Sequence, residues 1–166
     1  DKLRDGLLAD LPPAQKQALH RQVAQSIETV YAAALSPYYG DLAAHFGQAG
    51  DLDKERVYLR LAAGQAQAAY ANEAALDFYD RLLARLDDPA AQTDALLASG
   101  AVLKLIGRWE EAEKRYEQAI TQVGQLADPV LEARCQKLLR RDVETQLQVW
   151  IFLQQRAEVS ARLPQH

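Results

Sequence analysis

Apolar residues recur along this chain at spacings of three and four with polar residues between them, and no run alternates singly between turn dipeptides as a half-buried strand would. Pro12 and Pro13 suit the start of a helix, where no amide hydrogen is needed, and Leu19, Val23, Ile27, Val30, Tyr31 and Ala34 follow at helical spacing. This predicts a helix over about 13–35, ended by Ser36 and Pro37 because proline disfavours helical angles in the residue before it. A short helix carrying Leu42, Ala43 and Phe46 follows, closed by Gly47 and Gly50.

Asp51 or Asp53 is placed to cap the next helix, about 53–71, whose Leu59, Ala62, Ala63, Ala66, Ala69 and Tyr70 make a stripe of mostly small residues. Asn72 marks a boundary, after which Ala75, Phe78, Tyr79, Leu82, Leu83 and Leu86 give an apolar face ending before Asp87, Asp88 and Pro89. Beyond that turn, Leu96, Leu97, Gly100, Leu103 and Ile106 predict one helix, and Trp109, Ala112, Tyr116, Ala119, Ile120 and Val123 its partner across a bend at Gly107. A turn at Ala127, Asp128 and Pro129 leads to two more helical patterns, Leu131, Cys135, Leu138, Leu139 and then Val143, Leu147, Trp150, Leu153. The expectation is an all-α chain of antiparallel hairpins in one helical-repeat domain over 1–166, with junction helices in 1–50, paired repeats in 51–126 and capping or degenerate helices in 127–166.

Composition narrows the class. Hydrophobic residues are 49% and charged residues 25% of 166, which suits one folded array and argues against extended disorder. The net charge of −4 offers no broad positive face for nucleic acid or anionic lipid. Cys135 is the single cysteine, so no disulfide framework arises, and no apolar run reaches the length of a membrane span. These features predict a cytoplasmic chain whose partner is a protein, a peptide or a small molecule, with self-association left open. The start at Asp1, without a charged-then-apolar leader, is expected of a segment from a larger protein.

Across residues 93–126, Gly100, Gly107, Trp109, Ala112, Tyr116, Ala119 and Ile120 place small residues and aromatics at fixed offsets on two consecutive helices. Small residues permit close approach, Gly107 ends the first helix, and Trp109 and Tyr116 are suited to filling the groove toward neighbouring helices. The set resembles a tetratricopeptide repeat. The same offsets give a degenerate unit, Ala63, Tyr70, Asn72, Ala75, Tyr79, Leu82 and Leu83, and an overlapping echo, Ala43, Gly50, Leu52, Glu55, Leu59 and Ala62. The resemblance implies a short, irregular right-handed superhelix of stacked pairs. Past 126, Arg134, Arg141 and Gln146 stand where small residues belong.

A second resemblance lies nearer the start, in Asp1-Lys2-Leu3-Arg4, Leu11-Pro12, Leu19-His20-Arg21 and Val23-Ala24, with LAAHFGQAGD at 42–51 and YANEAALDFYDRLL at 70–83. Together these look like the region of large bacterial signal-transduction ATPases of the STAND type where a nucleotide-binding module gives way to helical repeats. In that family the amino-terminal partner is an adenylate or guanylate cyclase, a protein kinase or a DNA-binding domain. The resemblance implies a non-catalytic module that couples partner binding to an adjacent ATPase or effector domain. A peptide or small-ligand sensor of a transcription regulator is the alternative, and a catalytic helical domain a third.

No GxxxxGK[ST] or GxGxxG motif is present to cradle a nucleotide phosphate, and His20, His45 and His166 have no HExxH or Cys/His spacing, so no cofactor or metal is expected. Asp51, Asp53 and Glu55, Asp87 and Asp88, and Glu110, Glu111 and Glu113 read as solvated helix starts favoured by the helix dipole rather than as acid/base catalysts. Cys135 falls on an apolar spacing, and Lys137, Arg140 and Arg141 read as a solvated basic face. Tyr70, Phe78, Tyr79, Trp109 and Tyr116 read as core by their spacing. In the repeat architecture the first helix of each pair lines the concave face. That assigns Leu97, Ala101 and Lys104, with Arg60 and Gln67 from the preceding unit, to partner binding.

Overall fold

A computed structural model of the chain describes residues 11–126 together with Ala133 and Lys137. The expected turn at 127–129, the last two helical patterns, Cys135, Arg140 and Arg141, and the motif at residues 1–4 lie outside the described residues. The described part is all-helical: α1 (Pro13–Val30), a 3₁₀ turn (Ser36–Tyr38), α2 (Tyr39–Gln48), α3 (Leu52–Ala68), α4 (Asn72–Leu83), α5 (Pro89–Leu105) and α6 (Trp109–Leu126), with no strand among these residues. The chain divides into two compact units on either side of the Asp88–Pro89 bond.

In the first unit α1 packs on α2, α2 on α3, and α3 on α4. Leu42, Ala43 and Phe46 of α2, Leu59, Ala62 and Ala63 of α3, and Ala75, Tyr79 and Leu82 of α4 form the core. Ala24 is the one buried residue of α1. In the second unit α5 packs on α6 and buries Val102, Leu103, Ala112, Tyr116, Ala119 and Val123.

Two helix ends differ from the sequence expectation. The first helix stops at Val30, short of the expected end, and the chain then turns with Ala34 N–H on the Tyr31 carbonyl. Tyr31 and Tyr38 stack at 4.1 Å across that corner. The fourth helix ends at Leu83, and Leu86 is buried beyond it. There Arg85 turns toward α3, pairing with Glu55, while its carbonyl accepts from Arg56. Asp51 rather than Asp53 caps α3, accepting from Lys54 N–H at 3.2 Å.

The turns between α2 and α3, α3 and α4, and α5 and α6 repeat one another bond for bond. Each joins its helices through three residues: 49–51, 69–71 and 106–108. The middle residue has positive φ in all three, Gly50 at 74°, Tyr70 at 57° and Gly107 at 79°. Its N–H reaches the carbonyl three residues back (Gly47, Gln67, Lys104), at 3.1 Å each time. The following N–H, of Asp51, Ala71 or Arg108, reaches back five residues to Phe46, Ala66 or Leu103, at 2.9 Å each time. This is the Schellman closure, which satisfies two otherwise orphaned helix carbonyls and requires a left-handed residue at its centre.

The packing positions recur with the turns. Ala43, Ala63 and Gly100, seven residues before each centre, are all buried. So are Glu55, Ala75 and Ala112, five residues after; Leu59, Tyr79 and Tyr116, nine after; and Ala62, Leu82 and Ala119, twelve after. The offsets read from the sequence are therefore structural offsets, carried through three hairpins.

Candidate binding surface

Close approach explains the two most demanding small residues. A Cβ on Gly100 would lie 2.5 Å from Cε1 of Tyr116, so the Tyr116 ring occupies the space that any side chain would need. Tyr116 thus fills the groove inside its own hairpin, whereas the sequence assigned it to a neighbouring helix. A Cβ on Gly47 would meet Glu55 Oε1 at 2.6 Å. Glu55 is only 4% exposed and accepts from Arg85 Nε at 3.0 Å. The reading of Glu55 as a solvated helix-start carboxylate is therefore corrected. It occupies the repeat position that Ala75 and Ala112 hold elsewhere, and Arg85 compensates its charge because a buried carboxylate needs a partner.

A second polar cluster ties α1 to α3. Lys54 Nζ and Tyr58 OH both donate to Glu28, at 2.6 Å and 2.5 Å, on separate carboxylate oxygens. Burial, then the hydrogen bond and charge of Glu28, raise the Tyr58 phenol far above its ordinary pKa. Phe46 stacks on Tyr58 at 5.6 Å, and the Lys54 ammonium sits 4.5 Å from the Phe46 ring centroid. Arg56 closes the far end of the unit, bonding Asp87 at 2.9 Å, Asp53 at 3.3 Å and the Arg85 carbonyl. Apart from the local Arg56–Asp53 contact, these pairs span 26 to 31 residues, so no local motif announces them.

Of the five residues assigned to partner binding, Arg60 and Ala101 are exposed, Gln67 and Lys104 are half-buried, and Leu97 is 4% exposed. Leu97 is a packing residue here. The sequence treats α5 as one-sided, yet Thr93, Ala95, Leu96, Leu97, Ser99, Gly100, Val102 and Leu103 are all buried, leaving little free face. Its buried hydroxyls are satisfied within the helix, Thr93 on the Pro89 carbonyl and Ser99 on that of Leu96. Gln67 accepts from Tyr79 OH at 2.9 Å and so helps join α3 to α4. Burial also raises the Tyr79 pKa. Arg60 and Gln67 share one face of α3 and lie in the first unit, whereas Leu97, Ala101 and Lys104 lie in the second.

Among the aromatics read as core, Tyr79 and Tyr116 are buried and Phe78 and Trp109 half-buried, but Tyr70 is 77% exposed, because its backbone sits at the left-handed centre of the turn. The first unit also carries an open groove of about 450 Å³ along α1, lined by Leu19, Val23, Ile27, Val30 and Tyr31. On the described residues no group of three or more His, Cys, Asp or Glu is placed to hold a metal, and no helix is long and apolar enough to cross a membrane. Neither a protein-family model nor a curated protein matches the sequence.

Proposed function

We propose that this chain is a tetratricopeptide-like helical-repeat module of a multidomain signalling protein, non-catalytic in itself, which binds a protein or peptide and couples that binding to an adjacent ATPase or effector domain. The observation that carries this is the triple recurrence of one turn with the same four packing positions around it. Recurrence of one hairpin at new points of a chain is how helical arrays are built, and such arrays serve as extended surfaces that deform over many small interfaces. A right-handed superhelical stacking of the hairpins belongs to the same proposal. The exposed cation Arg60 and the half-buried Lys104 are its most direct contacts, with Gln67 and Ala101 beside them on their helices.

The reading frame that encodes this chain provides the test. A nucleotide-binding module encoded upstream, whose ATP turnover changes when Arg60→Glu or Lys104→Glu is introduced while the helical content stays constant, supports the proposal. A frame without such a module removes the ATPase-coupling part, and unchanged turnover in both charge reversals removes these residues from it.

A further inference from the structure

The sequence scatters His20 and His45, yet the fold sets them face to face. Their Nδ1 atoms are 2.9 Å apart, joining α1 to α2. The ring centroids lie 5.1 Å apart with the planes at 40°. That separation exceeds the nitrogen separation by about the sum of the two ring radii, so each Nδ1 points head-on at the other. Head-on nitrogens suit one shared proton, with one ring donating from Nδ1 and the other accepting there while carrying its own proton on Nε2. A metal would instead need both lone pairs to converge on a point beside the line joining them.

We propose that His20 and His45 form a proton-operated latch, which holds α1 on α2 while the accepting ring is neutral and releases it when that ring takes a proton at Nδ1. The pair tolerates one added proton, on the outer nitrogen of the donating ring, because the bond then becomes charge-assisted. The next proton must enter at the accepting Nδ1. It leaves two N–H groups and two positive charges head to head, with no acceptor between them.

The surroundings assign the accepting role to His45. Burial and the neighbouring His20 lower its pKa, and Asp41, one turn earlier on α2, only partly opposes them. The other charges on the packed elements have their own engagements: Arg21 donates to the Ala49 carbonyl at 3.0 Å, Glu28 accepts from Lys54 and Tyr58, and Glu55 pairs with Arg85. Lys16, one turn before His20 on α1, adds a positive charge to that helix. A folded pKa below the unfolded value means that the folded state favours the neutral ring. The stability from the latch is therefore complete above the ordinary histidine value of about 6.5 and is lost as pH falls through the lower folded value of His45. Helix α1 is where this loss is felt, since Ala24 is its one buried residue.

Hydrogen exchange of the α1 amides in the whole chain, expressed as protection relative to the unstructured rate at each pH, tests the latch. Between about pH 7.5 and pH 5, protection over residues 22–30 should fall several-fold, while residues 112–123 of α6 keep theirs. His45→Gln retains a donor and an acceptor without titrating, and should flatten the α1 profile; His20→Gln should do the same. Level α1 protection in the wild type, or an equal fall in both variants, overturns the latch. Should either variant lose its helical content, imidazole titration of the wild type by NMR decides. Coupled titration with one step displaced downward supports the pair, and two independent ordinary histidines overturn it.

Discussion

The turns centred on Tyr70 and Gly107 make the same hydrogen bonds and both have positive φ, but only one of them uses glycine. A left-handed backbone costs a residue with a side chain about 1–2 kcal/mol, so the turn at Tyr70 is formed against the preference of its own central residue. What holds it there is the packing on either side, Ala63 before the turn and Ala75, Tyr79 and Leu82 after it, all buried. The hairpin at Gly107 has both contributions, a permissive turn and a packed pair. The difference teaches that the repeat resides in its packing positions, and that the turn residue modulates its stability without defining it.

The largest break in this comparison should come from the packing positions. Tyr116→Ala removes the ring that fills the space beside Gly100, and should destabilise the α5–α6 hairpin by about 3–5 kcal/mol in denaturant unfolding, as buried aromatic truncations do. Gly100→Ala adds a Cβ into that ring. It should cost about 1–3 kcal/mol by overpacking, even though alanine is the better helix former. A smaller loss at Tyr116 than at a half-buried aromatic such as Trp109 would contradict the shared register.

Glu55 sharpens the comparison from within the first unit. Arg85→Ala strands a buried carboxylate and should cost about 1–3 kcal/mol. Glu55→Ala combined with Arg85→Ala should recover most of that loss, because alanine occupies the same position at Ala75 and Ala112. The double-mutant cycle measures the recovery, and additive losses would show that Glu55 does more than fill a repeat position.

Most helix ends and the repeat offsets were legible because their signals are local. Gly50 and Gly107 mark left-handed turns, Pro13 marks a helix start, and small residues at Ala43, Ala63 and Gly100 mark close approach. The spacing of Tyr70 continues an apolar stripe and so predicts core, and nothing about tyrosine signals positive φ. Glu55 was read as solvated because an acidic first turn ordinarily is, and its partner Arg85 lies 30 residues on. The signal that could have found it was the repeat itself, which puts a carboxylate where the other two units put alanine. His20 and His45, 25 residues apart, fit no spacing rule and meet only through the α1–α2 packing. Leu97 lacks the exposure expected of it for a similar reason. A one-sided helix was assumed for α5, and its apolar residues instead face inward around most of its circumference.

The most direct test exchanges the turn residues. Tyr70→Gly relieves the left-handed strain and, after the extra unfolded-state freedom of glycine is deducted, should stabilise the first unit by about 0.5–1 kcal/mol. Gly107→Tyr imposes that strain and, after the loss of glycine's unfolded-state freedom is credited, should destabilise the second unit by about 0.5–1 kcal/mol. Measured by denaturant unfolding of the whole chain, opposite signs at the two sites are what a single repeated turn predicts. A loss of stability at both would mean that Tyr70 is held by contacts particular to its own turn, and would contradict the equivalence of the hairpins.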